Sequence, residues 1–193
     1  MSKKVKSKKY WDTLTAAREL FWKHGFRRVT IQEVCDKAGV SKMTFYKFFP
    51  NKIELAKTVF EHEVDNGMDR INNLISEHAS GEEMLKEIIL LKVKGTNDIS
   101  PEFLADFYTD NEPDLKNFIM NKSNEAWTTI IGYWEQLQER GVFRADVKPE
   151  FLLKVQMKIQ ELLNDEELAG MYDSTQDLIL EITRFVAYGI AKR

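Results

Sequence analysis

Residues 30–52 read TIQEVCDKAGVSKMTFYKFFPNK, and this stretch decides the fold. Its first apolar residues recur at helical spacing, and Thr30 and Glu33 have the spacing of a capping box, in which each residue caps the other's backbone N–H. Gly39 suits the C-cap of this helix, and Ser41 suits the N-cap of a second helix. The stretch therefore predicts two short helices joined by a tight turn at Gly39.

Another amphipathic helix is predicted just before this pair. From Lys9 to His24 the apolar residues recur every three or four positions, and Gly25 follows as a further C-cap candidate. Three capped helices, the last two joined by a short turn, are typical of a helix-turn-helix, whose second member lies in the major groove of DNA. In that member we expect Phe45 to point inward and its polar neighbours to point outward.

The charge of the chain is unevenly distributed. Residues 1–52 hold 13 Lys and Arg against 4 Asp and Glu, although the net charge of the whole chain is −3. This asymmetry favours contact between the N-terminal part and a polyanion. The alternative is a solvated lysine-rich tail, because five of these lysines lie within the first nine residues.

Residues 30–52 resemble the DNA-binding signature of the tetracycline-repressor (TetR) family. The resemblance extends from about Tyr10 to Leu55 and includes the Ala-Gly-Val-Ser turn, a Thr-x-Tyr sequence and the Phe-Pro-Asn-Lys exit. Met43 stands where the family often has glycine, and Phe45 where it often has leucine. The base preference of the family therefore does not transfer to this chain.

The resemblance implies eight DNA-binding residues, which lie at helix N-termini or on the outer side of the third helix: Thr30, Ser41, Lys42, Met43, Thr44, Tyr46, Lys47 and Lys52. In this set Thr30 and Ser41 cap helices whose N-termini approach phosphates, and Lys52 reaches a phosphate. Lys42, Met43 and Thr44 face the groove, while the remaining two residues bind the DNA backbone. The alternatives are that Thr30 and Ser41 act only as caps, and that Lys52 is solvated.

The remainder of the chain predicts helices throughout. Cap residues, prolines and helical periodicity indicate six more helices, so the chain is expected to be all-α with about nine helices and no convincing strand. We predict a helix-turn-helix DNA-binding domain over residues 8–55. Residues 56–193 would form a helical effector-binding and dimerisation domain.

The last two predicted helices carry more apolar residues than one packing stripe requires. In proteins that this chain resembles, two such helices from each subunit form a four-helix dimer interface. The residues predicted to lie in it are Phe151, Val155, Ile159, Leu162, Leu178, Ile182, Phe185 and Gly189. The alternative is that the terminal helix is internal to a monomer.

The middle helices are rich in aromatic residues. In the resembled family this region binds a small effector, and the aromatic residues themselves favour a hydrophobic or aromatic ligand. The residues predicted to contact it are Phe103, Phe107, Tyr108, Trp127 and Trp134. The alternative is an ordinary hydrophobic core.

No catalytic residue, metal site or cofactor is predicted. The single cysteine excludes a disulfide framework within the chain, and His62-Glu63 lacks the second histidine of a zinc helix because position 66 is Asn66. No apolar run has the length of a membrane span, so we expect no membrane contact and a cytoplasmic, nucleoid-associated bacterial protein. The sequence thus predicts a ligand-responsive regulator, most simply a repressor, that binds a palindromic double-stranded operator as a homodimer. An architectural or adaptor DNA-binding protein without effector is the alternative, and an enzyme is a distant third.

Overall fold

The computed structural model describes residues 6–77, 80–108 and 112–191, except for the side chains of Phe107, Tyr108 and Gln160. Over these ranges the chain forms eleven helices and no strand, so the all-α prediction is confirmed. The helices are α1 (Lys8–His24), α2 (Ile31–Ala38), α3 (Lys42–Phe48), α4 (Lys52–Ser76), α5 (Gly81–Gly95), α6 (Pro101–Tyr108), α7 (Pro113–Gly132), α8 (Trp134–Glu139), α9 (Pro149–Leu163), α10 (Glu166–Ala169) and α11 (Thr175–Ile190).

The helix starts follow from local capping chemistry. At α2 the Thr30 hydroxyl accepts the Glu33 N–H at 3.2 Å, and the Glu33 carboxylate accepts the Thr30 N–H at 2.7 Å. The same reciprocal pair begins α5, where Ser80 caps the Glu83 N–H and the Glu83 carboxylate accepts the Ser80 N–H. These side chains bind backbone donors that a helix N-terminus leaves without an intrahelical partner.

Two short elements explain why the structure has eleven helices and the sequence predicts about nine. Helical periodicity runs in the sequence from Pro113 to near Gly141, but the helix is interrupted at Tyr133, whose N–H donates to Ile130 O at 3.1 Å, and α8 begins after it. The four-residue α10 is capped by Asp165, which accepts the Leu168 N–H at 2.9 Å. The apolar periodicity continues through Tyr133, so the pattern alone did not mark this interruption.

The chain divides into two compact units. The first contains α1 to α3, α4 as far as His62, and residues 98–119, which include α6 and the start of α7. The second contains the rest of α4, α5, the rest of α7, and α8 to α11. In the second unit Trp134 stacks on Phe143 within a buried cluster. None of the described helices is both long enough and apolar enough to cross a membrane.

Candidate nucleic-acid interface

The turn between α2 and α3 is built around Gly39. Its φ of 63° lies in the left-handed region, which glycine adopts without the steric penalty of a Cβ. The Gly39 N–H donates to Asp36 O at 3.3 Å, and the Val40 N–H donates to Cys35 O at 3.0 Å. This pair of hydrogen bonds is a Schellman motif, which ends α2 abruptly and lets α3 begin at Lys42, after only three intervening residues.

Aromatic packing fixes the orientation of α3. Phe45 and Phe49 are buried, and the Tyr10 ring of α1 stacks on Phe49 with the ring centroids 5.1 Å apart. Because the inner side of α3 is occupied, Met43 and Tyr46 point outward with 73% and 53% of their surfaces exposed. The second helix of the predicted pair therefore presents a defined outer face.

The outer face of α3 is cationic, hydroxylic and partly apolar. Lys42 and Lys47 are exposed, and the structure shows neither lysine in an ion pair within the described part of the chain. Residues 43, 46 and 47 share one side of the helix by their spacing. Lysine and tyrosine donors on one helix face can bind phosphate oxygens or base edges, so this surface, Lys42 with Met43, Tyr46 and Lys47, is hereafter called the α3 outer face.

Thr30, Ser41 and Thr44 stand at helix N-termini. The Ser41 hydroxyl accepts the Thr44 N–H at 3.2 Å and lies 3.1 Å from the Thr44 hydroxyl, so both side chains belong to the start of α3. Hydrogen bonds from the Thr30 N–H and hydroxyl to Glu33 hold the pKa of the Glu33 carboxyl below its usual value. All three residues have structural roles, and the N-termini they cap carry the positive ends of helix dipoles.

Lys52 differs from its sequence-based prediction. Its ammonium donates to the carbonyl oxygens of Phe26, Arg27 and Val29 at 2.9, 3.1 and 2.9 Å, which uses all three of its N–H donors. The partly buried side chain also lies over the Phe26 ring, 4.4 Å from its centroid. These hydrogen bonds favour a structural role for Lys52 over the predicted phosphate contact, because its donors already bind the α1–α2 loop.

Sequence reasoning missed Arg27 and Arg28. Both are exposed and are separated from the N-cap Thr30 of α2 only by Val29, so they add positive charge near a helix N-terminus. The available signal was a pair of adjacent arginines before a capping box. Together with the lysines of the α3 outer face, these arginines contribute to the positive charge of the first unit.

The aromatics predicted to bind an effector are distributed over both units. Phe103 is buried in the first unit, with its ring centroid 4.3 Å from that of Trp22. Trp134 is buried in the second unit and donates its indole N–H to Val147 O at 3.2 Å, while Trp127 on α7 is partly exposed. The side chains of Phe107 and Tyr108 lie outside the described residues. Packing thus accounts for Phe103 and Trp134 as core residues.

Seven of the eight residues predicted for a dimer interface line two hollows along α9 and α11. The hollows have volumes of about 470 and 570 Å³ and share Phe151, Val155 and Phe185. Phe185 is 80% exposed and Phe151 is 62% exposed. The eighth residue, Leu178, is buried in the second unit, so the described structure separates it from this surface. We call this surface the α9/α11 face.

No group of His, Cys, Asp and Glu side chains that could hold a metal ion is found in residues 6–77, 80–108 and 112–191. The Cys35 thiol is buried, and this burial raises its pKa. A buried thiol whose pKa is raised is less nucleophilic at neutral pH, so Cys35 acts in the structure as a small core residue.

The N-terminal part of the chain is similar to known regulatory proteins. Residues 14–59 match the family model of bacterial regulatory proteins of the tetR family. The chain is 28% identical over 86 residues to the fatty acid metabolism regulator protein of Bacillus subtilis, covering 45% of this chain and 44% of that protein. It is 42% identical over 53 residues to the HTH-type transcriptional activator FasR of Mycolicibacterium smegmatis, covering 28% and 24%. The matched part thus spans less than half the length of these curated relatives.

Solved structures match over nearly the whole chain. The fatty acid degradation regulator FadR from Bacillus halodurans has a TM-score of 0.71, with 18% identity, over 98% of this chain and 100% of that chain. FadR from Bacillus subtilis, solved in complex with stearoyl-CoA, has a TM-score of 0.67, with 17% identity, over 94% and 99%. At these identities the likeness establishes the fold alone.

Proposed function

We propose that this chain, whose residues 14–59 match the tetR family of bacterial regulatory proteins, is a ligand-responsive transcriptional regulator that binds a palindromic operator as a homodimer. The observation that carries this proposal is the α3 outer face, a short cationic helix surface held outward by Phe45 and Phe49. Repression is the direction proposed, with the operator occupied in the absence of ligand. The protein would act in the bacterial cytoplasm, on the DNA of the nucleoid.

The proposed contacts follow from side-chain chemistry. Lys47 and the Tyr46 hydroxyl donate to phosphate oxygens, and Lys42, Met43 and Thr44 meet base edges in the major groove. The N-termini of α2 and α3, capped by Thr30 and Ser41, face the phosphates with the positive ends of their dipoles. The phosphate contacts would position α3 on the DNA, and the base-edge contacts would supply its base preference.

Operator binding by Lys47→Ala tests this proposal. A duplex selected by the wild-type protein from genomic fragments is titrated by fluorescence anisotropy at several salt concentrations. Because each phosphate contact releases a condensed counterion, we expect weaker binding and a slope of log K against log salt that is smaller by about one.

Lys86→Ala is the matched control, because Lys86 is an exposed lysine on α5 that pairs with Glu82. We expect this variant to bind like the wild type. Equal affinities and salt slopes for the two variants would reject the assignment of the α3 outer face to DNA.

The homodimer is proposed from the exposed apolar residues of the α9/α11 face. Phe151 and Phe185 are each more than half exposed in the single chain, and apolar side chains so placed are typical of an interface. Two-fold pairing also gives a physical advantage, because two copies of α3 can read half-sites one helical turn apart or a little wider.

The effector is proposed to be a small hydrophobic molecule that shifts the dimer toward a form with lower operator affinity. Relatives of the chain are described as regulators of fatty acid metabolism or degradation, and one was solved with stearoyl-CoA. Long-chain acyl-CoA thioesters are therefore the first effectors to test.

Thermal unfolding with stearoyl-CoA, with free CoA as control, measures effector binding. A ligand that binds the folded state raises the melting temperature with its concentration, and an effector also releases the operator. If acyl-CoA thioesters and other hydrophobic ligands change neither the melting temperature nor operator binding, the alternative of an adaptor protein without effector is favoured.

A further inference from the structure

The α1–α2 loop, residues 25–30, determines the direction in which the helix-turn-helix leaves α1. It begins at Gly25, whose φ of 77° and ψ of 158° belong to a region that is essentially restricted to glycine. It ends at Thr30, the N-cap of α2. Phe26 and Val29 are buried and anchor the loop in the core, whereas Arg27 between them is exposed.

Two charged side chains bind the same residue of this loop from distant parts of the chain. The Arg27 N–H donates to the Asp106 carboxylate at 2.8 Å, across 79 positions of sequence. The Arg27 carbonyl accepts from the Lys52 ammonium, which also binds Phe26 O and Val29 O. Both polar backbone groups of Arg27 therefore have charged partners, and such hydrogen bonds are stronger than neutral ones.

Packing holds Asp106 in place for this contact. Helix α6 is attached to the end of α1 by a hydrogen bond from the Ser100 N–H to Trp22 O at 2.9 Å and by the buried contact between Trp22 and Phe103. A Cβ added to Gly25 would lie 2.6 Å from the Asp106 carboxylate, so the loop and α6 approach too closely for a larger residue. The hydrogen bond is thus made between two packed segments.

We propose that Asp106 is a positioning residue for operator binding, acting through the α1–α2 loop on the orientation of α2 and α3. This inference rests on the proposed function and extends it to a helix outside residues 14–59, the part that matches the family model. Asp106 has no role in contacting DNA; it fixes Arg27, and Arg27 precedes the capping box by three residues. Helix α6 is then a part of the chain through which operator affinity can change without any altered DNA contact.

Three full-length variants test this role. Asp106→Ala removes the acceptor, whereas Asp106→Asn keeps a neutral oxygen that can accept the Arg27 N–H. Glu102→Ala is the matched control, because Glu102 is an exposed carboxylate on the same helix and its removal changes the net charge equally. Operator affinity is measured by anisotropy against salt, beside the melting temperature of each protein.

We expect Asp106→Ala to bind the operator about tenfold more weakly than Glu102→Ala, the scale of one charge-assisted hydrogen bond. The salt slope should equal that of the wild type, because no phosphate contact is lost. Asp106→Asn should recover most of the affinity. If the loss of operator affinity only reflected lower stability, it would parallel the decrease in melting temperature. It would then be absent at temperatures below the melting temperature of the variant.

Hydrogen exchange of the Arg27 amide gives a readout that needs no DNA. Protection should be lost in Asp106→Ala and kept in Asp106→Asn, and this measurement remains informative if the alanine variant is less stable. Equal operator affinities for Asp106→Ala and Glu102→Ala, or failure of Asp106→Asn to restore binding, would overturn the inference. A wild-type protein that binds no DNA would instead reject the proposed function.

Discussion

The Lys52 ammonium is surrounded by backbone carbonyls, and its removal should lower stability without removing a phosphate contact. Burial lowers the Lys52 pKa, while the negative charge of Asp106 acts to raise it. Lys52→Met retains most of the side-chain stem and leaves three carbonyl oxygens without their donor. We expect a loss of about 2 kcal/mol in the free energy of unfolding, measured by urea denaturation. The salt slope of operator binding should not change. If stability were unaltered and the salt slope were smaller by about one, Lys52 would instead contact a DNA phosphate.

Met43 is the residue at which the operator preference of this chain should differ from that of relatives with glycine there. Its exposed, apolar side chain can contact only an apolar group in the major groove, and the thymine methyl is the group available. Replacing individual operator thymines by deoxyuridine removes this methyl alone. We expect one symmetric pair of replacements to weaken wild-type binding about 15-fold, because it removes one methyl group of about 0.8 kcal/mol from each half-site. Met43→Gly should be insensitive to the same replacement, and equal sensitivity of both proteins would exclude a methyl contact by Met43.

At the scale of single elements, the capping box of α2 predicts an acid dependence of stability. Hydrogen bonds from the Thr30 N–H and hydroxyl lower the Glu33 pKa in the folded state, so this carboxylate stabilises the fold above its unfolded pKa of about 4.3. The contribution is lost as pH falls through the lower folded value. Glu33→Gln should therefore lose less unfolding free energy than the wild type between pH 5 and pH 3, as measured by urea denaturation at each pH. If the unfolding free energy of Glu33→Gln fell with pH as steeply as that of the wild type, the capping box would not be the source of the acid dependence.

The elements that the sequence predicted correctly are those determined by neighbouring residues. The capping box joins Thr30 to Glu33, and the left-handed turn depends on Gly39 alone, so residues 30–39 contain the information that forms them. The contacts of Lys52 and Asp106 join positions that are 23 to 79 residues apart, and no local pattern marks such pairs.

Helix faces show the same difference between periodicity and packing. Periodicity placed Leu178 and Phe185 together on one apolar row of the last helix, but Leu178 is buried and Phe185 is 80% exposed. Apolar residues surround much of α11, so the sequence shows that more than one side is apolar without showing which side packs within the chain. Helix α5 packs on α11, and its position determines which side of α11 is buried within the chain and which side is exposed.

At the scale of the whole molecule, the proposed dimer depends on the α9/α11 face. A stable interface buries about 1,600 Å² in total, and a charge placed at its centre loses its hydration without gaining a partner. Phe185→Glu should leave the isolated chain folded, because Phe185 is 80% exposed in it, and should nevertheless prevent dimerisation. We expect light scattering at micromolar concentration to give 22.6 kDa for this variant and twice that mass for the wild type.

Met120→Glu is the control for the dimer, since Met120 is an exposed methionine on α7 that does not line either of the two hollows. This variant should remain a dimer.

Phe185→Glu should also lose affinity for the palindrome by about 100-fold or more while binding a single half-site like the wild type, because each copy of α3 is intact but the two are no longer linked. A Phe185→Glu protein that stays dimeric would move the interface away from α9 and α11. A wild-type chain that binds the palindrome as a 22.6 kDa particle would remove the need for a dimer, since one α3 would then supply the whole affinity.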